Sequence, residues 1–119
     1  MVIAVDFDGT LCESAYPNIG KANFQLIKGL IEEQKMNGAK LILWTCRVGK
    51  DLEEAVEWCK ARGLKFDAVN ENLPELIDRF GGDPRKIFAD VYLDDRSKSI
   101  NLFSHYIPGP VLRRLEEYY

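Results

Sequence analysis

The chain has 119 residues, of which 46% are hydrophobic and 29% charged, with a net charge of −3, and this composition is typical of one globular domain spanning 1–119. No run of about 18 apolar residues is present and Asp6 interrupts the apolar N-terminus, so we expect no membrane span and no signal peptide, and predict a cytoplasmic protein. The 16 Lys and Arg are scattered among 19 Asp and Glu, which argues against nucleic acid as a partner.

Apolar and amphipathic segments alternate along the chain. Val2–Val5 is continuously apolar, which is typical of a strand buried on both faces. A helix follows and ends near Gly38; its apolar face consists of Phe24, Ile27, Leu30 and Ile31. The second strand is predicted over 40–45, and Asp51 is expected to cap a second helix that ends near Gly63.

The same alternation continues in the second half of the chain. A third strand is predicted over 66–69, and a shorter helix with apolar residues between Leu73 and Phe80 ends at a glycine pair. A fourth strand is predicted over 89–93, and a final helix is expected in 111–119. Strands alternating with helices predict an α/β fold, here a Rossmann-like three-layer α/β/α sandwich with a mainly parallel sheet.

Polar residues follow each predicted strand. In open α/β sheets, ligands bind beyond the carboxyl ends of the strands. The residues at these positions are Asp6 and Asp8, Thr45 and Arg47, Asn70 and Asn72, and Asp94 and Asp95. Residues of these types are also common in turns, so for Asn70 and Asn72 both substrate contact and turn formation remain open.

The acidic residues at this edge predict a metal site. Asp6 and Asp94 come from distant parts of the chain and would repel one another unless a cation lay between them. Mg²⁺ prefers oxygen ligands and commonly joins carboxylates to a phosphate, so we expect Mg²⁺ and a phosphorylated substrate. Gly9 permits a tight turn whose N–H groups can face a phosphate, and Thr10 adds a hydroxyl.

The motifs resemble those of one enzyme family. Asp6-Phe7-Asp8-Gly9-Thr10-Leu11 resembles the D-x-D-G-T signature of the haloacid dehalogenase-like (HAD) phosphatases. Thr45, which follows an apolar segment, resembles their second motif, and Asp94-Asp95 resembles the acidic pair of their fourth. The resemblance covers nearly the whole chain, with the motifs in the family's order.

The resemblance implies a covalent mechanism. Asp6 would attack phosphorus, Asp8 would protonate the leaving oxygen and later activate water, and Thr45 would hold a phosphoryl oxygen. The implied metal ligands are Asp6, Asp94, the backbone carbonyl of Asp8 and, through water, Asp95. The expected phosphate-binding residues are Phe7, Gly9, Thr10, Cys46 and Arg47. The side chain of Cys46 is nevertheless expected to lie in the core.

The lysine of the family's third motif is predicted at Lys86. The segment 86–96 resembles the K-x-x-A-D-x-Y-x-D-D-[RK] stretch of small HAD phosphatases linked to surface polysaccharide synthesis. Lys86 reaches the site only if 86–88 is a loop, because a strand over 87–93 would carry it to the opposite end of the sheet. Arg47 and Lys50 are the alternative sources of positive charge.

The short segments 11–21 and 70–86 leave no room for the cap domain of larger HAD enzymes. We therefore expect an open site, with Tyr16 and Pro17 at its entrance, that takes a sugar phosphate or a bulky phosphorylated substrate. The partner that we expect to cover this open site is a second subunit of a homo-oligomer.

Three other functions compete with hydrolysis of a phosphate ester. A dehalogenase is disfavoured because its reaction does not need Asp8. A response-regulator receiver would carry its acceptor aspartate after the third strand, where this chain has Val69-Asn70. A non-catalytic HAD-like phosphate-binding or receiver-like switch module remains the alternative to an enzyme.

Overall fold

Strands and helices alternate in the computed structural model, which describes residues 1–97. The strands are β1 (Val2–Val5), β2 (Lys40–Leu43), β3 (Ala68–Val69) and β4 (Val91–Leu93), and the helices are α1 (Phe24–Asn37), α2 (Gly49–Ala61) and α3 (Pro74–Phe80). The helix expected in 111–119 lies outside the described residues. None of the three helices has the length and apolar character needed to cross a bilayer.

The sheet order is β3-β2-β1-β4, and every pair of neighbouring strands is parallel. The chain builds outward from β1 to β3 and then returns to the other side of β1 to form β4. The direction of winding therefore reverses between β1 and β4. In open α/β sheets the crevice at such a reversal, at the carboxyl ends of the strands, is the usual ligand site.

Both faces of the sheet are covered. On one face, Ile3 and Val5 of β1 belong to a core that includes Ile27 and Leu30 of α1 and Ala55 and Cys59 of α2. On the other face, Ala4 and Ile42 belong to a core with Leu73 and Leu76 at α3 and with Ile87 and Ala89. This arrangement confirms the predicted three-layer Rossmann-like class. Within the described chain, segments 11–21 and 70–86 hold α3, turns, bends and an isolated bridge, and no cap domain.

The β2–α2 connection begins and ends earlier than predicted. β2 ends at Leu43 because the N–H of Thr45 donates to the side-chain Oδ1 of Asn70 (2.8 Å) and not to a neighbouring strand. α2 begins at Gly49, so Asp51 lies in its first turn and does not cap it. A carboxylate in the first turn still interacts favourably with the helix dipole.

Two aspartate side chains shorten β3 and β4 relative to the prediction. The Asp67 carboxylate accepts the N–H of Leu41 (2.8 Å), and the Asp90 carboxylate accepts the N–H of Val2 (2.7 Å). In each case a side-chain oxygen replaces a backbone carbonyl as the acceptor. The regular strand therefore begins at the residue after the aspartate, at Ala68 in β3 and at Val91 in β4. One core prediction was also wrong: Phe24 is 67% exposed, because it is the first residue of α1 and precedes the turn that packs on the sheet.

Candidate functional site

The register of β1 against β4 brings two carboxylates together. Val5 pairs with Leu93, and the N–H of Asp6 donates to the Leu93 carbonyl (2.9 Å). Asp6 and Asp94 therefore leave adjacent strands at the same level. Together with Asp95, they offer carboxylate oxygens that lie within 4.8 Å of one another. The structure thus brings together the acidic residues predicted from the sequence, at the reversal point between β1 and β4.

Burial and the neighbouring carboxylates together raise the pKa of Asp6. Burial, and next the negative charge of Asp94, raise the pKa of Asp6 from 3.8 to about 6. The N–H of Phe7 acts in the opposite direction and lowers that pKa. At neutral pH Asp6 is thus ionised in an environment that disfavours its charge, and a cation among the carboxylates would relieve this repulsion.

The donor set fits Mg²⁺. Two oxygens on opposite sides of an octahedral Mg²⁺ lie about 4.2 Å apart, and the carboxylate oxygens of this cluster all lie within 4.8 Å of one another. The three donors are all carboxylates, and hard oxygen ligands are those that Mg²⁺ prefers. The residues that would hold the ion are therefore Asp6, Asp94 and Asp95. Coordination of the ion by the backbone carbonyl of Asp8 stays a prediction.

The turn after β1 braces the carboxylates. The Thr10 hydroxyl donates to Asp6 Oδ2 (3.3 Å) and accepts the N–H of Asp95 (3.1 Å). The N–H of Gly9 donates to the Cys12 carbonyl (2.9 Å). The structure therefore does not support the predicted phosphate contacts of Gly9 and Thr10, because the Gly9 N–H and the Thr10 hydroxyl proton are used inside the turn.

Phe7 contributes to the site through its backbone. Its side chain is fully buried and packs edge-on against Trp58, with ring centroids 5.4 Å apart. Its carbonyl accepts the N–H groups of Thr10, Leu11 and Cys12. The Phe7 side chain thus anchors the turn in the core, and a phosphate contact by Phe7 stays a prediction.

Gly9 is required by both conformation and space. Its φ is +87°, and an added Cβ would overlap the Asp95 carboxylate. We expect Gly9→Ala to lower the free energy of unfolding by about 1–3 kcal/mol, measured by urea denaturation. Gly29→Ala is the matched control, because nothing lies within 4 Å of its added Cβ in α1, and it should stabilise the protein by about 0.5–1 kcal/mol. Equal effects of the two substitutions would contradict this account.

An open cleft of about 500 Å³ lies in front of the carboxylates, a size typical of small-molecule sites. The cleft is lined by Asp6, Asp8, Ser14, Tyr16, Thr45, Cys46, Arg47, Asp94, Asp95 and Arg96. Sequence reasoning missed Ser14 and Arg96. Arg96 directly follows the acidic pair, and this position in the sequence indicates a place at the cleft. Nothing in the sequence around Ser14 gives such an indication.

Thr45 faces this cleft as predicted. Asn70, with φ +54°, holds the Thr45 backbone through its side chain. The Thr45 hydroxyl oxygen accepts the N–H of Arg47 (3.1 Å), so its own proton is directed elsewhere and can reach a ligand. Cys46 is exposed, so the expectation of a core side chain was wrong: β2 has already ended, and strand alternation no longer applies.

Arg47 borders the cleft but is only 2% exposed. Its N–H groups donate to the Asp8 carboxylate and to three backbone carbonyls. The five N–H donors of a guanidinium are thereby all used. The structure therefore does not support the predicted contact between Arg47 and a phosphate.

Lys86 lies in a loop at the carboxyl edge, beside the cleft. It shares a neighbouring depression with Trp44 and Asp94. The fully buried Asn72 holds this loop, since its amide donates to Asp83 (2.6 Å) and accepts the N–H of Phe88 (2.7 Å). Residues 86–88 thus form the loop that Lys86 requires in order to reach the site. The Asn72 side chain stabilises this loop through its hydrogen bonds.

These features define an α/β protein of the Rossmann-like class with an acidic cleft at the carboxyl edge of its sheet. No protein-family model and no curated protein matches the sequence. Among solved structures, the chain is similar to a conserved protein from Bacteroides thetaiotaomicron, with 40% sequence identity, coverage of 100% of this chain and 92% of that chain, and a TM-score of 0.71. The chain belongs to the family of that protein.

Proposed function

We propose that the protein is a magnesium-dependent phosphomonoester hydrolase of the HAD-like type. The observation that carries this proposal is the convergence of Asp6, Asp94 and Asp95, whose carboxylate oxygens lie within 4.8 Å of one another at the reversal point of the sheet. Asp8 and Thr45 line the same cleft. The motif order along the chain adds support, since it resembles that of the HAD phosphatases.

In this proposal Asp6 is the nucleophile. A carboxylate oxygen of Asp6 forms a bond to phosphorus while the ester P–O bond breaks, and the leaving oxygen takes its electron pair and a proton from Asp8. Asp8 then removes a proton from the water that releases phosphate from the aspartyl-phosphate. The Thr45 hydroxyl donates to a phosphoryl oxygen. Bound Mg²⁺ would supply positive charge that offsets the carboxylates and the phosphate.

The open cleft supports a substrate whose non-phosphate part is large. Tyr16 stands at its mouth, 60% exposed, and its hydroxyl donates to Asp51 (3.1 Å). A fixed aromatic ring of this kind offers an apolar surface with a polar edge, which suits a sugar ring. We therefore propose a sugar phosphate as the substrate class, while a homo-oligomer that covers the cleft stays a prediction.

Phosphate release tests the proposed function. Purified protein should release inorganic phosphate from p-nitrophenyl phosphate and from a panel of sugar phosphates with Mg²⁺, and not with EDTA. Acid-quenched protein should carry phosphate on Asp6 by peptide mass spectrometry. Release that is equal with EDTA, or phosphate found on no aspartate during turnover, would contradict the proposal.

A non-catalytic module is the second candidate. The observation that favours it is the ion pair in which both Asp8 oxygens accept N–H groups of Arg47, at 2.8 Å each. A carboxyl held in this way is less available for proton transfer. Acetyl phosphate with Mg²⁺ distinguishes the two functions, because a switch would accumulate phosphorylated Asp6 without continuing phosphate release.

A further inference from the structure

Arg47 occupies an unusual position for an arginine. It lies in the connection between β2 and α2, yet its side chain is 1% exposed. Arginine is almost never fully buried unless its charge is paired. The guanidinium also lies between two aromatic rings, 5.0 Å from the centroid of Phe7 and 5.1 Å from that of Tyr16. Such burial indicates a built contact and not a surface side chain.

One side of the guanidinium holds Asp8. Nε and Nη2 of Arg47 donate to the two carboxylate oxygens at 2.8 Å each, a bidentate geometry that fixes both the position and the plane of the carboxyl group. The Asp8 side chain is 21% exposed and lines the cleft. Each of its oxygens keeps a second lone pair, so the carboxyl can still act on a ligand in the cleft.

The other side of the guanidinium holds the segment 13–22, which we call the flap. Nη1 donates to the Pro17 carbonyl (3.2 Å), and Nη2 donates to the Asn18 carbonyl (3.0 Å). Tyr16 of the flap stacks on the guanidinium and is tied by its hydroxyl to Asp51. The flap and Asp8 are therefore joined through one buried side chain.

We propose that Arg47 is a positioning residue that joins the flap to Asp8, so that the flap sets the orientation of the Asp8 carboxyl toward the leaving oxygen. This inference rests on the proposed function and deepens it. It predicts that the loss of rate on substitution of Arg47 depends on the leaving group. An alkoxide must take a proton from Asp8 as the P–O bond breaks, whereas nitrophenolate leaves with its electron pair and needs no proton.

The substitution Arg47→Lys tests the inference, because lysine keeps the charge but lacks the planar fork that holds a carboxylate at two points. With glycerol phosphate, an alkyl ester, we expect kcat/KM to fall at least about tenfold more than with p-nitrophenyl phosphate. We compare kcat/KM because it covers only the steps up to departure of the leaving group and omits the later attack of water, which both esters share. The inhibition constant of inorganic phosphate should stay within about threefold, because Arg47 has no N–H left for a phosphoryl group.

Arg62→Lys is the matched control. Arg62 also stacks on an aromatic ring, 3.8 Å from the Trp58 centroid, and also donates to a backbone carbonyl, but it does not line the cleft. It should leave kcat/KM for both esters unchanged. Equal losses of kcat/KM with the two esters in Arg47→Lys would overturn the inference, since general damage to the fold would not discriminate between leaving groups.

Hydrogen exchange gives a readout that does not need turnover. Amide exchange in the flap should be faster in Arg47→Lys than in wild type and unchanged in Arg62→Lys. If Arg47→Lys fails to fold, Asp51→Ala should show a flap acceleration and a leaving-group discrimination in the same direction, because it releases the Tyr16 hydroxyl and leaves Asp6, Asp8 and Thr45 unsubstituted. Unchanged flap exchange would overturn the inference.

The two proposals fail in different ways. If wild type releases no phosphate from either ester and Asp6 is never phosphorylated, the proposed function fails, and flap exchange alone decides whether Arg47 holds the flap. If wild type is active but neither flap exchange nor leaving-group discrimination changes in the variants, the proposed function stands and the role of Arg47 is overturned.

Discussion

Asp6→Asn is expected to lower magnesium-dependent phosphate release by about a thousandfold or more, because the neutral amide oxygen cannot attack phosphorus while the side chain keeps its size. The folded structure should be retained. Asp6 lies beside Asp94 and Asp95, so removing its charge removes a repulsion and introduces no steric conflict. Steady-state release from p-nitrophenyl phosphate, together with a thermal unfolding scan, measures both effects.

Asp78→Asn is the matched control for the nucleophile. Asp78 lies exposed on α3 and does not line the cleft, so the same chemical change there should leave the rate unchanged. A rate in Asp6→Asn close to that of wild type would contradict the covalent mechanism. Loss of the rate in both variants would point to a general sensitivity to charge and would equally contradict a specific nucleophile.

In the absence of metal, the free energy of unfolding of wild type is expected to fall relative to Asp6→Asn as pH rises from about 4 to about 6. The folded pKa of Asp6 is about 6, above its ordinary 3.8, so the folded state keeps a proton that the unfolded state has lost. The full shift corresponds to about 3 kcal/mol, and solvent screening of this half-buried group reduces the expected effect to about 1 kcal/mol.

Mg²⁺ at neutral pH should restore the free energy of unfolding that wild type loses when Asp6 ionises. A ligand that binds the folded state alone stabilises it by about 2.7 kcal/mol at a hundred times its Kd, and Asp6→Asn should lose most of that gain. Urea unfolding with and without Mg²⁺ measures the effect, with Glu53→Gln on the exposed side of α2 as a control. Equal stabilisation of wild type and Asp6→Asn by Mg²⁺ would place the ion elsewhere.

The strands were predictable from the sequence, whereas their exact ends were not. Runs such as Val2–Val5 bury residues on both faces, and burial of that kind requires continuous apolar sequence. The ends of β2, β3 and β4 depend on side chains that replace backbone partners, namely Asn70, Asp67 and Asp90. Such replacements bring together residues far apart in the chain, and no local pattern reports them.

The candidate site was likewise predictable only in part. Asp6, Asp94 and Thr45 were predictable because the carboxyl ends of parallel strands share one edge. The environment of Arg47 was not predictable, because its burial depends on the carbonyls of Pro17 and Asn18. Those carbonyls belong to a loop whose course follows from no periodic pattern, so the sequence alone predicts an Arg47 side chain that is free to contact phosphate.

The pairing of β1 with β4 has a consequence for biosynthesis. Asp6 leaves the ribosome before Asp94, which emerges only after β2, β3 and helices α1 to α3. The nascent chain can therefore pair β1 with β2 before the acidic residues meet. Non-local contacts of this kind form late because they require closure of a long loop. The mutually repelling carboxylates thus come together only once most of the sheet already exists to hold them.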